Sequence, residues 1–109
     1  MTQKAVQEEI NRIVNIIVSR FHPERVILFG SSAKGEVGPD SDIDLMVVMP
    51  VKGSIRKKAN EIDDSLSHRT VPLDLIVVTP EQFERNSRRI GTVIRTAFFN
   101  GKVVYEHAA

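Results

Sequence analysis

Three short runs, RVILFG (25–30), DIDLMVVM (42–49) and VPLDLIVVT (71–79), are rich in aliphatic and β-branched residues and end at a glycine, proline or threonine. Runs of this length and make-up read as strands, and apolar neighbours on both of their faces call for cover on both sides. The stretches between and around them have helical spacing. Val6, Ile10, Ile13, Val14, Ile17 and Phe21 recur at steps of three and four, with Gln7, Glu8, Asn11, Arg12 and Asn15 opposite. That amphipathic helix should stop near His22, because Pro23 disfavours helical geometry in the residue before it. Residues 54–68 place Ile55, Ala59, Ile62 and Leu66 on one face and Arg56, Lys57, Lys58 and Glu61 outside. At TPEQF (79–83), a capping threonine followed by proline and an early acid opens a last helical region. This region carries Ile90, Val93, Ile94, Ala97 and Phe98 and is broken around Ser87 or Gly91. GKVVYE (101–106) reads as a closing strand. The order α-β-α-β-α-β-α-β predicts an α/β (α+β) chain with a sheet of about four strands covered by helices.

At 109 residues the chain is expected to form a single domain over 1–109. A formal net charge of +1 carries no overall electrostatic signature, so a nucleic-acid or membrane partner would need a local patch. With no cysteine, disulfides, thiolate metal sites and a cysteine nucleophile are excluded. No apolar run approaches the ~20 residues that span a bilayer, and the polar start MTQKAVQEEINR lacks a signal-like core. The expected location is therefore cytoplasmic. The six aromatics show no stacking pattern for single-stranded nucleic acid, and Phe21, Phe29 and Phe98 read as core. His22, His68 and His107 follow no ligand spacing and read as surface residues. Arg56, Lys57 and Lys58 read as a solvated helix face. Arg85, Arg88, Arg89 and Arg95 form a looser basic set that is either solvated or meets a phosphate or an acidic partner.

The chemistry-bearing stretch is LFGSSAKGEVGPDSDIDLMVV (28–48). Strand side chains alternate faces, so Asp42 and Asp44 point to one side with α-carbons about 6.5–7 Å apart. Two anions there repel each other, and a shared divalent cation would offset that repulsion. Oxygen-only ligands select magnesium, manganese or calcium. The alternative is a pair of solvated acids at a strand's start. Asp74 interrupts an apolar run; buried there, it would need a partner or a metal, and on an edge strand it would face water. If the second and third strands are neighbours, Asp74 stands beside Asp42 and Asp44. Gly30 directly follows a strand, and Ser31 and Ser32 then open a turn whose N–H groups suit a phosphate, with Lys34 in reach. A P-loop does not fit: Gly30 and Gly35 supply its glycines, but Glu36 and Val37 stand where lysine and serine or threonine are needed.

Taken together, Gly30-Ser31, Gly35, Ser41-Asp42-Ile43-Asp44-Leu45 and Asp74 resemble the motif of the DNA polymerase beta-like nucleotidyltransferases, in particular the minimal nucleotidyltransferase (MNT) domains. The likeness runs through nearly the whole chain and implies the polymerase beta-like fold. By position, it implies that Asp42 and Asp44 are ligands shared by two Mg2+ ions (or Mn2+), that Asp74 completes one metal site and helps activate the attacking hydroxyl, and that all three are catalytic. It further implies that Gly30, Ser31, Ser32, Lys34 and Gly35 surround the triphosphate of ATP and that Ser41 shapes the loop before the metals. Many relatives read Gly-Ser-Arg at the turn; here Ser32 takes the arginine's place, and Lys34 is the basic residue nearby. Stand-alone MNT proteins commonly pair with a HEPN protein, a helical ribonuclease toxin, and act as antitoxin by adenylylating a tyrosine of that partner. The resemblance therefore implies AMP transfer from ATP to a protein hydroxyl. Two rival expectations are a binding module that neutralises its partner by contact and transfer to a small molecule such as an aminoglycoside. The acceptor surface must come from a partner or from a second copy in a homo-oligomer.

Overall fold

The computed structural model describes residues 2–30, 33 and 42–107. Within them the chain runs α1 (Gln3–Phe21), β1 (Arg25–Phe29), β2 (Ile43–Val48), α2 (Ile55–Ser65), β3 (Leu73–Val78), α3 (Pro80–Asn86), α4 (Val93–Asn100) and β4 (Lys102–Glu106). The strands form one mixed sheet in the order β3-β2-β1-β4. β1 pairs antiparallel with β2 and with β4, whereas β2 and β3 are parallel and joined through α2.

Local signals set most boundaries. Thr2 caps α1 by accepting from the Ala5 N–H, and the helix ends at His22, which adopts a left-handed φ of 51° and donates its N–H to the Val18 carbonyl. Thr79 and Gln82 form a reciprocal capping box at the start of α3, with Pro80 at the first helical position. The expected break in the last helical region lies between α3 and α4. Gly91 takes φ 91° there, and Thr92 caps α4 by accepting from the Arg95 N–H at 3.1 Å. Its hydroxyl also lies 2.9 Å from the carbonyl oxygens of Asn86 and Arg89, which fixes the turn.

Period-two alternation divides the sheet cleanly. Val26, Leu28, Ile43, Leu45, Val47 and Val77 pack with the apolar stripes of α1 and α2. The intervening residues Ile27, Met46, Val48 and Val78 pack on the opposite face with Phe83 of α3 and Ala97 of α4. Ile90 and Val93, expected on the apolar face of the last helix, are instead 86% and 61% exposed. The break at 87–92 rotates α4 so that Ile94, Ala97 and Phe98 meet the core, and Phe83, from the other side of the break, takes a buried place there. Phe21, Phe29 and Phe98 sit at the core margins, half-buried against it, and the three histidines are exposed. Among the described residues no helix is long and apolar enough to cross a membrane.

One polar group is built into the α1 interface. Glu9 is 7% exposed, beside the apolar stripe. One carboxylate oxygen accepts from both the N–H and the hydroxyl of Thr70 at 2.6 Å, and the other pairs with Arg12. The Arg12 hydrogen bond, followed by those from Thr70, outweighs burial and lowers the Glu9 pKa from 4.5 to about 2. A carboxyl whose pKa is depressed by folding contributes stability above its unfolded pKa and loses it as pH falls through the folded one. Glu9→Gln should therefore cost about 2–3 kcal/mol at neutral pH, and the difference from wild type should shrink between pH 4.5 and 2. Urea unfolding at a series of pH values measures this, and a deficit independent of pH would contradict the ionic origin.

Candidate active site

The parallel register sets Asp44 of β2 directly beside Asp74 of β3, and the antiparallel register sets Phe29 of β1 on the other side of Asp44. Neighbouring strands lie about 4.8 Å apart, so the two acids share one face at adjacent positions. It is the face covered by α3 and α4, whose packing on Met46, Val48 and Val78 lies farther along the strands. Asp42 immediately precedes β2, where the Ile43 N–H donates to the Pro72 carbonyl at 2.9 Å and ties the starts of β2 and β3 together. Asp42 and Asp74 are exposed and Asp44 is half-buried. Asp74 is exposed because β3 is an edge strand, so of the two expectations for this residue the water-facing one holds.

Burial first, then the charge of Asp74, its hydrogen bond with Asp74 and the charge of Asp42, push the Asp44 pKa above the ordinary carboxylate range. The cause is a crowd of like charges at a partly dehydrated position. Gly30 closes the other side. Its φ is 72°, a left-handed value natural to glycine, and a Cβ built there would overlap Oδ2 of Asp44. Thus Gly30, Asp42, Asp44 and Asp74, drawn from three successive strands or strand ends, converge at one end of the sheet. Ser31, Ser32, Lys34, Gly35 and Ser41 lie outside the described residues.

The donor set is all carboxylate oxygen, which suits a hard divalent cation. Among the described residues no three His, Cys, Asp or Glu side chains form a ready metal cage. Magnesium is usually held by one or two carboxylates, with waters and substrate phosphates completing its shell, and the acids around Asp44 fit that mode.

Residues 10–104 match the family model of the nucleotidyltransferase domain. The chain belongs to that family. This nucleotidyltransferase domain matches no curated protein sequence significantly, but its fold recurs in solved structures. A Sulfolobus solfataricus protein assigned as a nucleotidyltransferase superposes with TM-score 0.67 at 19% identity, covering 96% of this chain and 84% of that one. The toxin–antitoxin MntA-HepT gives TM-score 0.60 at 19% identity, covering 93% and 73%. A toxin–antitoxin structure with AMP-PNP gives 0.57 at 20%, covering 89% and 73%. The expected architecture, a mixed sheet of four strands covered by helices, is the one observed.

Sequence reasoning places Gly30 in a phosphate turn but misses its contact with Asp44, which depends on the β1–β2 register. It also misses Glu9, for which the only local signal is Arg12 three residues on.

Proposed function

We propose that this nucleotidyltransferase domain transfers AMP from ATP to a hydroxyl of a partner protein, a helical HEPN-type toxin, and so serves as its antitoxin. The observation that carries the reading is the convergence of Asp42, Asp44 and Asp74 beside Gly30 at one end of the sheet, with Asp42 and Asp74 exposed. The similar fold of two toxin–antitoxin structures, one with AMP-PNP, supports the choice of partner and donor.

In this reading Asp42 and Asp44 would hold two magnesium ions, with Asp74, waters and the substrate phosphates completing their shells. The ions, when bound, neutralise the triphosphate and lower the pKa of the acceptor hydroxyl. Gly30 keeps the end of β1 clear of the Asp44 carboxylate, and Ser31, Ser32, Lys34, Gly35 and Ser41, which lie outside the described residues, are assigned to the phosphates on the motif alone. Asp74, exposed at the edge strand, accepts the proton of the acceptor hydroxyl. The hydroxyl oxygen bonds to the α-phosphorus as the bond from that phosphorus to the bridging oxygen breaks, and pyrophosphate leaves. The chain's own contribution is position and charge.

The test is incubation with α-labelled ATP, magnesium and the co-expressed helical partner. Label on a hydroxyl side chain of that partner is expected, with Asp42→Asn reducing it to background. Label that appears only on a small-molecule acceptor, or partner neutralisation that survives Asp42→Asn in full, would sink the proposal.

A further inference from the structure

All four exposed large hydrophobics among the described residues, Ile90, Val93, Phe99 and Val103, fall in the α3–α4 turn, α4 and the start of β4. Between Arg85 and Val103 the sequence also carries five cations and no acid, whereas the remaining residues carry ten Lys and Arg against fourteen Asp and Glu. The near-neutral net charge therefore hides a polarised molecule. Of the five cations only Arg88 is ion-paired among the described residues, with Glu84 at 3.5 Å. Arg95 lies over the ring of Phe99, 4.4 Å from its centroid, so cation and apolar surface are one feature.

The location gives this patch a use. α4 lies over the face of the sheet that carries Asp44 and Asp74, where Ala97, with Ile94 and Phe98 beside it, packs on the strands. β4 begins at the same end of the sheet as the acids: Lys102 pairs with Leu28, next to Phe29, which pairs with Asp44. Two strand spacings, about 10 Å, separate Asp44 from the start of β4. A molecule seated on α4 and extending past the start of β4 would lie on the sheet face and at the sheet end that carry the acids.

We infer that the outer face of α4 with the α3–α4 turn is the docking surface for the acceptor protein, and that this partner presents carboxylates around an apolar socket for Phe99 and Val93. The assignment deepens the nucleotidyl-transfer reading and rests on it for what the docked partner receives. Charge complementarity selects the occupant. A second copy meeting through the same patch would set five cations against five. A nucleic-acid strand would leave Ile90 and Val93 unmatched, and Phe99, the one exposed aromatic ring among the described residues, already carries Arg95 on its face. α4, at eight residues, offers little length for an interfacial membrane helix. Arginine and aromatic anchors in a partly apolar patch are the composition of a protein–protein hot spot.

The test is fluorescence anisotropy of the full chain with probes of equal net charge: a helical peptide alternating glutamate with leucine and phenylalanine, an oligoglutamate and a single-stranded oligothymidylate, with phosphatidylserine vesicles measured by co-sedimentation. The mixed peptide should bind at least about ten-fold tighter than the other probes. Phe99→Ala with Val93→Ser should erase that advantage, and Arg89→Glu with Arg95→Glu should weaken binding about ten-fold and flatten its salt dependence. Both pairs are exposed or half-exposed, and circular dichroism melts confirm that each variant is folded. Failure of the mixed peptide to bind, equal affinity for oligoglutamate, tighter binding of the oligonucleotide or vesicles, or indifference to both folded variants each overturns the assignment. Docking is read without nucleotide, and transfer is read separately as labelled AMP on protein. Peptide binding without transfer overturns only the nucleotidyl-transfer reading; transfer without peptide binding overturns only the docking surface.

Discussion

Asp44→Asn should lower nucleotidyl transfer by roughly 10³-fold while raising the melting temperature of the cation-free protein. The two effects have one cause. Asp44 is half-buried and flanked by Asp74 and Asp42, and both burial and those charges oppose its ionisation. Asparagine keeps the shape and removes the charge, so the fold is relieved of an unfavourable anion and the proposed cation site loses a central ligand. Magnesium titration supplies a readout apart from activity. A cation that binds the folded wild type stabilises it by about 2.7 kcal/mol at a hundred times its Kd, and this gain should vanish in Asp44→Asn. Asp64→Asn, an exposed position on α2, serves as the control with little change in either quantity. An Asp44→Asn protein that keeps its transfer rate, or that melts lower than wild type without cation, would contradict the account.

The second large effect is expected at Gly30. Gly30→Ala places a methyl group in a backbone with φ 72° and into Oδ2 of Asp44. The left-handed conformation alone costs about 1–2 kcal/mol for a residue with a Cβ. Relieving the overlap by turning Asp44 away should lower transfer by roughly 100-fold, since a displacement of about 1 Å at a reacting centre has that effect. The two contributions separate in a double-mutant cycle. In an Asp44→Ala background Gly30→Ala should retain the backbone cost but lose the collision, so the stability changes should be non-additive. Additive changes would mean that Gly30 is needed for its backbone alone.

How much of this was legible in the sequence depended on how local the cause was. The α1 stripe, the stop before Pro23, the Thr79–Pro80 cap and the break near Gly91 all depend on neighbours within a few residues, and all are found in the structure. The alternation that puts Asp44 opposite in sense to Ile43 and Leu45 is equally local, and the core partition follows it. The break before α4 was legible, but its consequence for Ile90 and Val93 was not. Which side of a helix is buried depends on where the preceding turn aims it.

The sequence by itself determined the four strands, most of the helices, the family motif and the presence of acids at the start of one strand and within another. The helix that the alternating order expects between β1 and β2 falls outside the described residues, and the last helical region divides into α3 and α4. Tertiary structure alone decided that β2 and β3 are parallel neighbours in a register that sets Asp44 against Asp74. It alone decided that β3 is an edge strand with Asp74 exposed, that Gly30 abuts the Asp44 carboxylate, and that the basic apolar surface of α4 lies over the same face. The physical reason is the range of the interactions. Periodicity, capping and proline sterics act over one helical turn or a pair of residues, whereas strand pairing is a choice among partners far apart in the chain, made by burying both faces of the sheet at once.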